Sequence, residues 1–269
     1  IIFKSINKLN KEVNFKANIG FVPTMGSLHK GHISLIKLSK KKCEKTLVSI
    51  FVNPSQFNKK NDLKKYPRNL KKDIKILKKL NVDYLLKPNV KEIYKNKKNT
   101  KIKLKKNDKI MCALHRPGHF EGVLAVINQF LQKFRPKNIF LGEKDYQQFY
   151  LIKKFIKKNF NINVFSCATV RDKNNVALSS RNILLNKNDL NKSSVIASSM
   201  LKFKSKIKKN ISYTKNLNNI ATKINSLKNI KIEYLEIRNK YNFSKNYNQT
   251  NFKIFLAYYN KKIRLIDNY

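Results

Sequence analysis

Apolar residues fall in short clusters along this chain, and their spacing alternates between a continuous run and a helical period. Ile19-Gly20-Phe21-Val22 reads as a strand, and the segment from Ile33 to Lys42 as a helix. Thr46–Val52 is a second apolar strand, closed by Asn53-Pro54. Leu70, Ile74, Leu77 and Leu80 recur at helical spacing with lysines opposite, and Val82–Leu86 is a strand stopped by Pro88. Phe120–Phe134 predicts a helix whose stripe is Val123, Val126, Ile127, Phe130, Leu131 and Phe134. Asn138–Leu141 predicts a strand, then comes a helix turning Phe149, Ile152 and Ile156 inward, then a strand over Asn163–Val170. Repeated strand–helix units imply an α/β fold with a doubly wound parallel sheet, whose ligands sit at the carboxyl ends of its strands.

After Val170 the pattern changes. Arg171–Arg181 is a polar loop, Ser193–Lys209 has helical character, and Ile230–Ile237, Lys253–Tyr258 and Lys262–Ile266 read as strands. The organisation expected is a larger domain over residues 1–170 and a smaller α+β domain over 171–269, within the range that 269 residues allow. Segments 95–109 and 239–251, rich in lysine or asparagine, read as loops.

Composition narrows the class. No apolar run approaches the ~18 residues of a membrane span. The first residues mix Lys and Asn too evenly for a signal-peptide core. The three cysteines are far apart and form no CxxC, which fits free thiols in a cytoplasmic protein. Sixty Lys and Arg against 15 Asp and Glu give a net charge of +45. Most of that charge is lysine, spread in doublets such as Lys59-Lys60, Lys71-Lys72 and Lys157-Lys158. Nucleic-acid surfaces concentrate charge and favour arginine forks. The accompanying excess of Asn, Ile, Phe and Tyr is what AT-rich coding produces, so the lysines read as solvated faces with no specific nucleic-acid partner.

The chemistry gathers at predicted strand ends. Directly after the first strand comes Pro23-Thr24-Met25-Gly26-Ser27-Leu28-His29-Lys30-Gly31-His32. Two of the four histidines and two of the six glycines lie in this stretch. Spaced three apart, His29 and His32 share one face of a first helical turn, beside backbone N–H groups that favour anions. Further on stand Val52-Asn53-Pro54-Ser55-Gln56-Phe57, Asp62-Leu63-Lys64-Lys65-Tyr66-Pro67-Arg68, Arg116-Pro117-Gly118-His119-Phe120-Glu121-Gly122-Val123, Gly142-Glu143-Lys144-Asp145-Tyr146-Gln147-Gln148 and Leu178-Ser179-Ser180-Arg181-Asn182.

The first stretch resembles the HxGH signature of the nucleotidyltransferase superfamily. Together, over roughly residues 19–185, these elements resemble the pantoate–β-alanine ligase family. The resemblance implies a Rossmann-like domain binding ATP and pantoate, and a smaller domain closing over it. It implies adenylation of pantoate by ATP with Mg²⁺, release of pyrophosphate, then attack by β-alanine to give pantothenate and AMP. It carries catalysis to His29, His32 and Lys144. ATP binding falls to Met25, Gly26, Ser27, Leu28, Lys30, Gly31, Gly142, Glu143, Asp145, Val170, Leu178, Ser179, Ser180 and Arg181. Pantoate and β-alanine fall to Gln56, Gln148, Arg116 and His119, and Asp73 lies in the patch near magnesium. His32 is further implied as proton donor to pyrophosphate. The family expectation is a homodimer. Asn174-Asn175-Val176 departs from the family's Asp-Gly-Leu, which puts the flexibility of that loop in question. Two other readings stand beside this one: another transferase of the HxGH superfamily, or a basic RNA-binding protein on an inactive version of the fold.

Overall fold

The structure, a computed structural model, describes residues 1–58, 60–94 and 102–269. The chain divides into two units, Ile1–Thr169 and Val170–Tyr269. The first unit runs β1 (Ile2–Phe3), α1 (Ile6–Glu12), β2 (Ile19–Thr24), α2 (Lys30–Lys42), β3 (Lys45–Ile50), α3 (Lys60–Lys65), α4 (Leu70–Lys79), β4 (Tyr84–Leu86) and α5 (Val90–Tyr94). It continues with α6 (Cys112–His115), α7 (His119–Phe134), β5 (Asn138–Gly142), α8 (Tyr146–Asn159) and β6 (Asn163–Cys167).

Its strands form one parallel sheet in the order β1-β4-β3-β2-β5-β6. From β2 the chain builds outward through β3 and β4, then returns to the other side of β2 for β5 and β6. The order reverses between β2 and β5, and such a switch point opens a crevice at the carboxyl ends. The segments after Thr24 and after Gly142 leave the sheet there.

β2 is buried on both faces, as a central parallel strand must be. Phe21 meets Phe130 and Phe134 of α7 edge-on, at centroid distances of 5.5 and 5.0 Å. Its neighbour Val22 belongs to the opposite layer, with Leu35, Ile36, Val48, Leu77 and Phe140. The second unit contains α9 (Lys187–Lys209), α10 (Leu217–Asn225), β7 (Ile230–Asn239), β8 (Phe252–Asn260) and β9 (Ile263–Asn268). Its strands pair antiparallel in chain order, and Met200, Phe203 and Ile207 of α9 share a core with Ile237, Ile254 and Leu256.

Several elements depart from the sequence expectation. α2 starts at Lys30, before its first apolar position, because His29 caps it. α9 starts at Lys187 because the Asn186 carboxamide accepts the Asp189 N–H at 2.9 Å, and the polar turn that follows hides this start from periodicity. On α8 the buried positions are Gln147, Leu151, Ile152 and Ile156, whereas Phe149 is half-buried beside Tyr146. β6 ends at Cys167, short of Val170. The short elements β1, α1, α5 and α10 were outside the expectation, since two to nine residues leave little periodicity to read. Of the loop expected over 95–109, residues 95–101 lie outside the described residues, and Lys106–Asp108 forms a single 3₁₀ turn.

Phe21→Ala removes the ring that joins β2 to α7. The expected cost is about 3–5 kcal/mol of unfolding free energy in urea titration, the usual range for a fully buried phenylalanine. A loss under about 1 kcal/mol would mean that this layer does not hold the sheet.

Candidate active site

The loop after β2 is held by a carboxylate from elsewhere in the chain. Gly26 and Ser27 both take left-handed backbone angles, φ +77° and +51°, so the second does so without glycine's freedom. Asp73 of α4 is 2% exposed and points its carboxylate at this turn. Its Oδ2 accepts the Ser27 N–H and its Oδ1 the Leu28 N–H, each at 2.8 Å. The Thr24 hydroxyl adds a second tie, accepting from Gly26 N–H at 3.1 Å while donating to the Ser49 carbonyl at 2.7 Å.

The loop delivers His29 to the N-terminus of α2. The His29 Nδ1 accepts the Gly31 N–H at 3.1 Å, and the His32 Nδ1 accepts the His29 N–H at 3.3 Å. This reciprocal cap replaces the usual serine and glutamate pair. Gly31 makes it possible: a Cβ there would stand 2.9 Å from His29 Cε1. With each Nδ1 accepting, a neutral ring carries its proton on Nε2. Burial is the main force lowering both pKa values, His29 to about 4 and His32 to about 3. Lys144 adds to the lowering in both, and Asp145 opposes it. The two rings, 4.1 Å apart at their centroids, are therefore a pair of neutral Nε2–H donors at pH 7. In the free protein the single ring proton of His32 is therefore on Nε2.

The same influence shows that the turn after β5 comes close to α2. Lys144 and Asp145 form an ion pair at 3.3 Å, with the lysine side chain 18% exposed. Gly142 faces open space, and the Glu143 carboxylate accepts the Ser166 hydroxyl at 2.7 Å. Lys30, also assigned to ATP by the resemblance, is an exposed position.

Gln56 lies in the 3₁₀ turn Pro54–Gln56 after β3 and is buried. Its Oε1 accepts from Asn53 Nδ2 at 3.1 Å, and its Nε2 meets Met25 Sδ at 3.0 Å, so it adjoins the start of the glycine loop. Arg116 and His119 both support the backbone of this turn: His119 Nδ1 bonds the Gln56 carbonyl at 2.7 Å, and Arg116 reaches the same carbonyl at 3.2 Å. The two side chains also meet each other at 2.9 Å. Gln148 is half-buried in the first turn of α8. Its neighbour Gln147 is turned to structure, donating to the Ile110 carbonyl at 2.8 Å.

In the second unit, Leu178 N–H bonds the Val170 carbonyl at 3.0 Å, and Arg171 bridges to Ala177, so residues 170–178 close on themselves. The turn inside uses Asn175 at φ +66° where glycine was missed; asparagine tolerates that conformation. Ser179 then caps the 3₁₀ turn Ser180–Leu184, accepting the Arg181 N–H at 3.2 Å, and Ser180 is buried.

A family model described as pantoate-beta-alanine ligase matches residues 1–269. This chain is a pantoate-β-alanine ligase family member. A pantothenate synthetase of Francisella tularensis subsp. novicida is 40% identical over 268 residues, covering 99% of this chain and 94% of that relative. Among solved structures, the pantothenate synthetase of Thermus thermophilus superposes with a TM-score of 0.91 at 27% identity, covering 100% of this chain and 98% of the other. The Francisella tularensis ligase, solved with beta-gamma ATP and beta-alanine, gives 0.85 at 39% identity, covering 100% and 97%.

For this ligase family member the magnesium expectation has no protein cage behind it. Among the described residues no group of three or more His, Cys, Asp or Glu is gathered to hold a metal. Both oxygens of Asp73 already serve backbone donors, which gives it a positioning task. Asn53 and Tyr94, not assigned from the sequence, also belong to the Gln56 network. Asn53 before Pro54 carries a local capping signal, whereas nothing near Tyr94 announces its partners.

The histidine cap has a pH signature. Folding keeps both rings neutral, whereas the unfolded chain protonates them below about pH 6.5. Stability from the cap is thus present above that value and is lost as pH falls toward about 4 for His29 and about 3 for His32. The His29→Asn variant keeps a capping group that does not titrate. Its thermal midpoint should fall less than that of the unaltered protein between about pH 6.5 and 4.5. Equal falls would remove the cap as the cause.

Proposed function

We propose that this chain condenses pantoate with β-alanine at the expense of ATP, through a pantoyl adenylate. One observation carries the reading: the two Nε2–H donors and Lys144 adjoin a loop whose first residue, Met25, touches the buried amide of Gln56. A phosphate-accepting surface and an amide suited to hydroxyls or a carboxylate are thereby continuous. The Francisella structure with beta-gamma ATP and beta-alanine supports the substrate pair.

In the first step a pantoate carboxylate oxygen attacks the α-phosphorus of ATP, and the bond to pyrophosphate breaks. The carboxylate needs no base; it needs alignment and relief of negative charge. Neutral His29 and His32 give hydrogen bonds to phosphate oxygens as charge shifts, and Lys144 adds a full positive charge. Asp145 is suited to accept from ribose hydroxyls, while Ser179, Ser180 and Arg181 are donors suited to the phosphates. In the second step the amine of β-alanine attacks the acyl carbon, AMP departs with the bonding pair, and the amine loses a proton. Gln56 and Gln148 hold pantoate. Arg116 and His119 act by fixing the Gln56 turn. Magnesium comes with ATP, bound by phosphates and water.

The protein works in the cytoplasm, where Cys43, Cys112 and Cys167, all free, stay reduced. It assembles as a homodimer, and its substrates are small molecules. No helix among the described residues is long and apolar enough to cross a membrane.

Purified protein should release pyrophosphate only when pantoate accompanies ATP, and form AMP with pantothenate only after β-alanine is added. Equal release with unrelated carboxylates would favour a broader adenylating enzyme, and a saturable RNA complex without turnover would favour the RNA-binding alternative.

His32→Ala and Lys144→Ala should each lower kcat by about two decades or more, since both act on charge that grows in the transition state. Gln56→Ala and Gln148→Ala should chiefly raise the KM for pantoate. A rise confined to the KM for ATP would reverse this division.

A further inference from the structure

Beneath Gln56 lies a relay that ends outside the reacting groups. The Asn53 Oδ1 accepts from Ser55 N–H at 3.3 Å, from Ser55 Oγ–H at 2.9 Å and from Tyr94 O–H at 2.5 Å. Ser55 Oγ and the Tyr94 hydroxyl also meet each other at 2.8 Å. Three donors converge on one end of the Asn53 carboxamide, which must therefore be its oxygen. The other end, Nδ2, points at two acceptors, the Gly122 carbonyl and Gln56 Oε1, each at 3.1 Å. Gln56 Oε1 is thus committed to Asn53, leaving the Gln56 amide nitrogen on the side of Met25.

We propose that Tyr94 is a positioning residue which, through Asn53, fixes the side-chain orientation of Gln56 so that it presents an N–H donor to the carboxylate or a hydroxyl oxygen of the hydroxy acid. This rests on the function proposed above for the choice of ligand, though the relay itself does not. Tyr94 comes from α5, 41 residues from Asn53 in sequence, and its hydroxyl meets Asn53 and Ser55. Without its hydroxyl, the Asn53 oxygen loses one of its donors, and the energy separating the two amide orientations falls.

Tyr94→Phe removes one oxygen and keeps the ring. In steady-state kinetics it should raise the KM for pantoate about fivefold to tenfold, the scale of one lost hydrogen bond, with the KM for ATP within twofold. In an Asn53→Ala background the same change should add nothing, because the relay is already cut. In ¹⁵N-labelled protein without substrates, Tyr94→Phe should move the side-chain amide signals of Asn53 and Gln56 and leave those of Gln147 in place. An unmoved Gln56 signal overturns the proposal, as does a Tyr94→Phe effect that persists in full beside Asn53→Ala. Absence of pantoate-dependent turnover in the unaltered protein would refute the functional reading, while the amide signals would still decide the relay.

Discussion

The Asp73 carboxylate, buried between α4 and the loop after β2, is the contact on which the site's geometry depends. A buried charge is tolerated when hydrogen bonds replace water, and two backbone N–H groups do so here. In return the carboxylate holds Ser27 in a left-handed conformation that a side-chain-bearing residue otherwise avoids. That conformation turns the chain so that His29 arrives at the start of α2 in an extended conformation, able to fold its ring back over the helix. The imidazole pair, its tautomers and its lowered basicity all follow from the approach this turn imposes.

Local signals made much of this legible. Apolar runs placed β2, β3 and β5, and the stripe from Val123 to Phe134 placed α7 to within one residue of its start. Strand–helix alternation implied the parallel sheet, and the stretch from Met25 to His32 marked the loop at its switch point. What sequence alone hid was partnership across distance. Asp73 sits among exposed lysines, and no neighbour reveals that amides 45 and 46 residues away bind both its oxygens. Arg116 and His119 were visible as polar groups entering a helix, but their meeting at the Gln56 carbonyl depends on α7 packing against the turn after β3.

The charge balance has a structural counterpart. With only 15 acidic residues for 60 basic ones, most lysines have no carboxylate to pair with, which suits solvated positions. The scarce carboxylates instead tie the chain to itself. Glu92 accepts the Ile6 N–H at 2.5 Å, Asp83 the Thr46 N–H at 2.9 Å, and Asp267 grips Arg171 through two bonds of 2.7 and 2.9 Å. In these three cases the acid stands where a backbone N–H or the half-buried Arg171 takes a carboxylate.

Gly122 illustrates how such packing limits change over evolutionary time. A Cβ at this position would lie 2.3 Å from the Ser55 carbonyl oxygen, so helix and turn meet backbone against backbone. The atoms at that seam are common to every amino acid, and no single substitution can widen the gap or add a group without moving a helix. Side chains such as Met25, which meets the Gln56 amide, can vary without touching this seam.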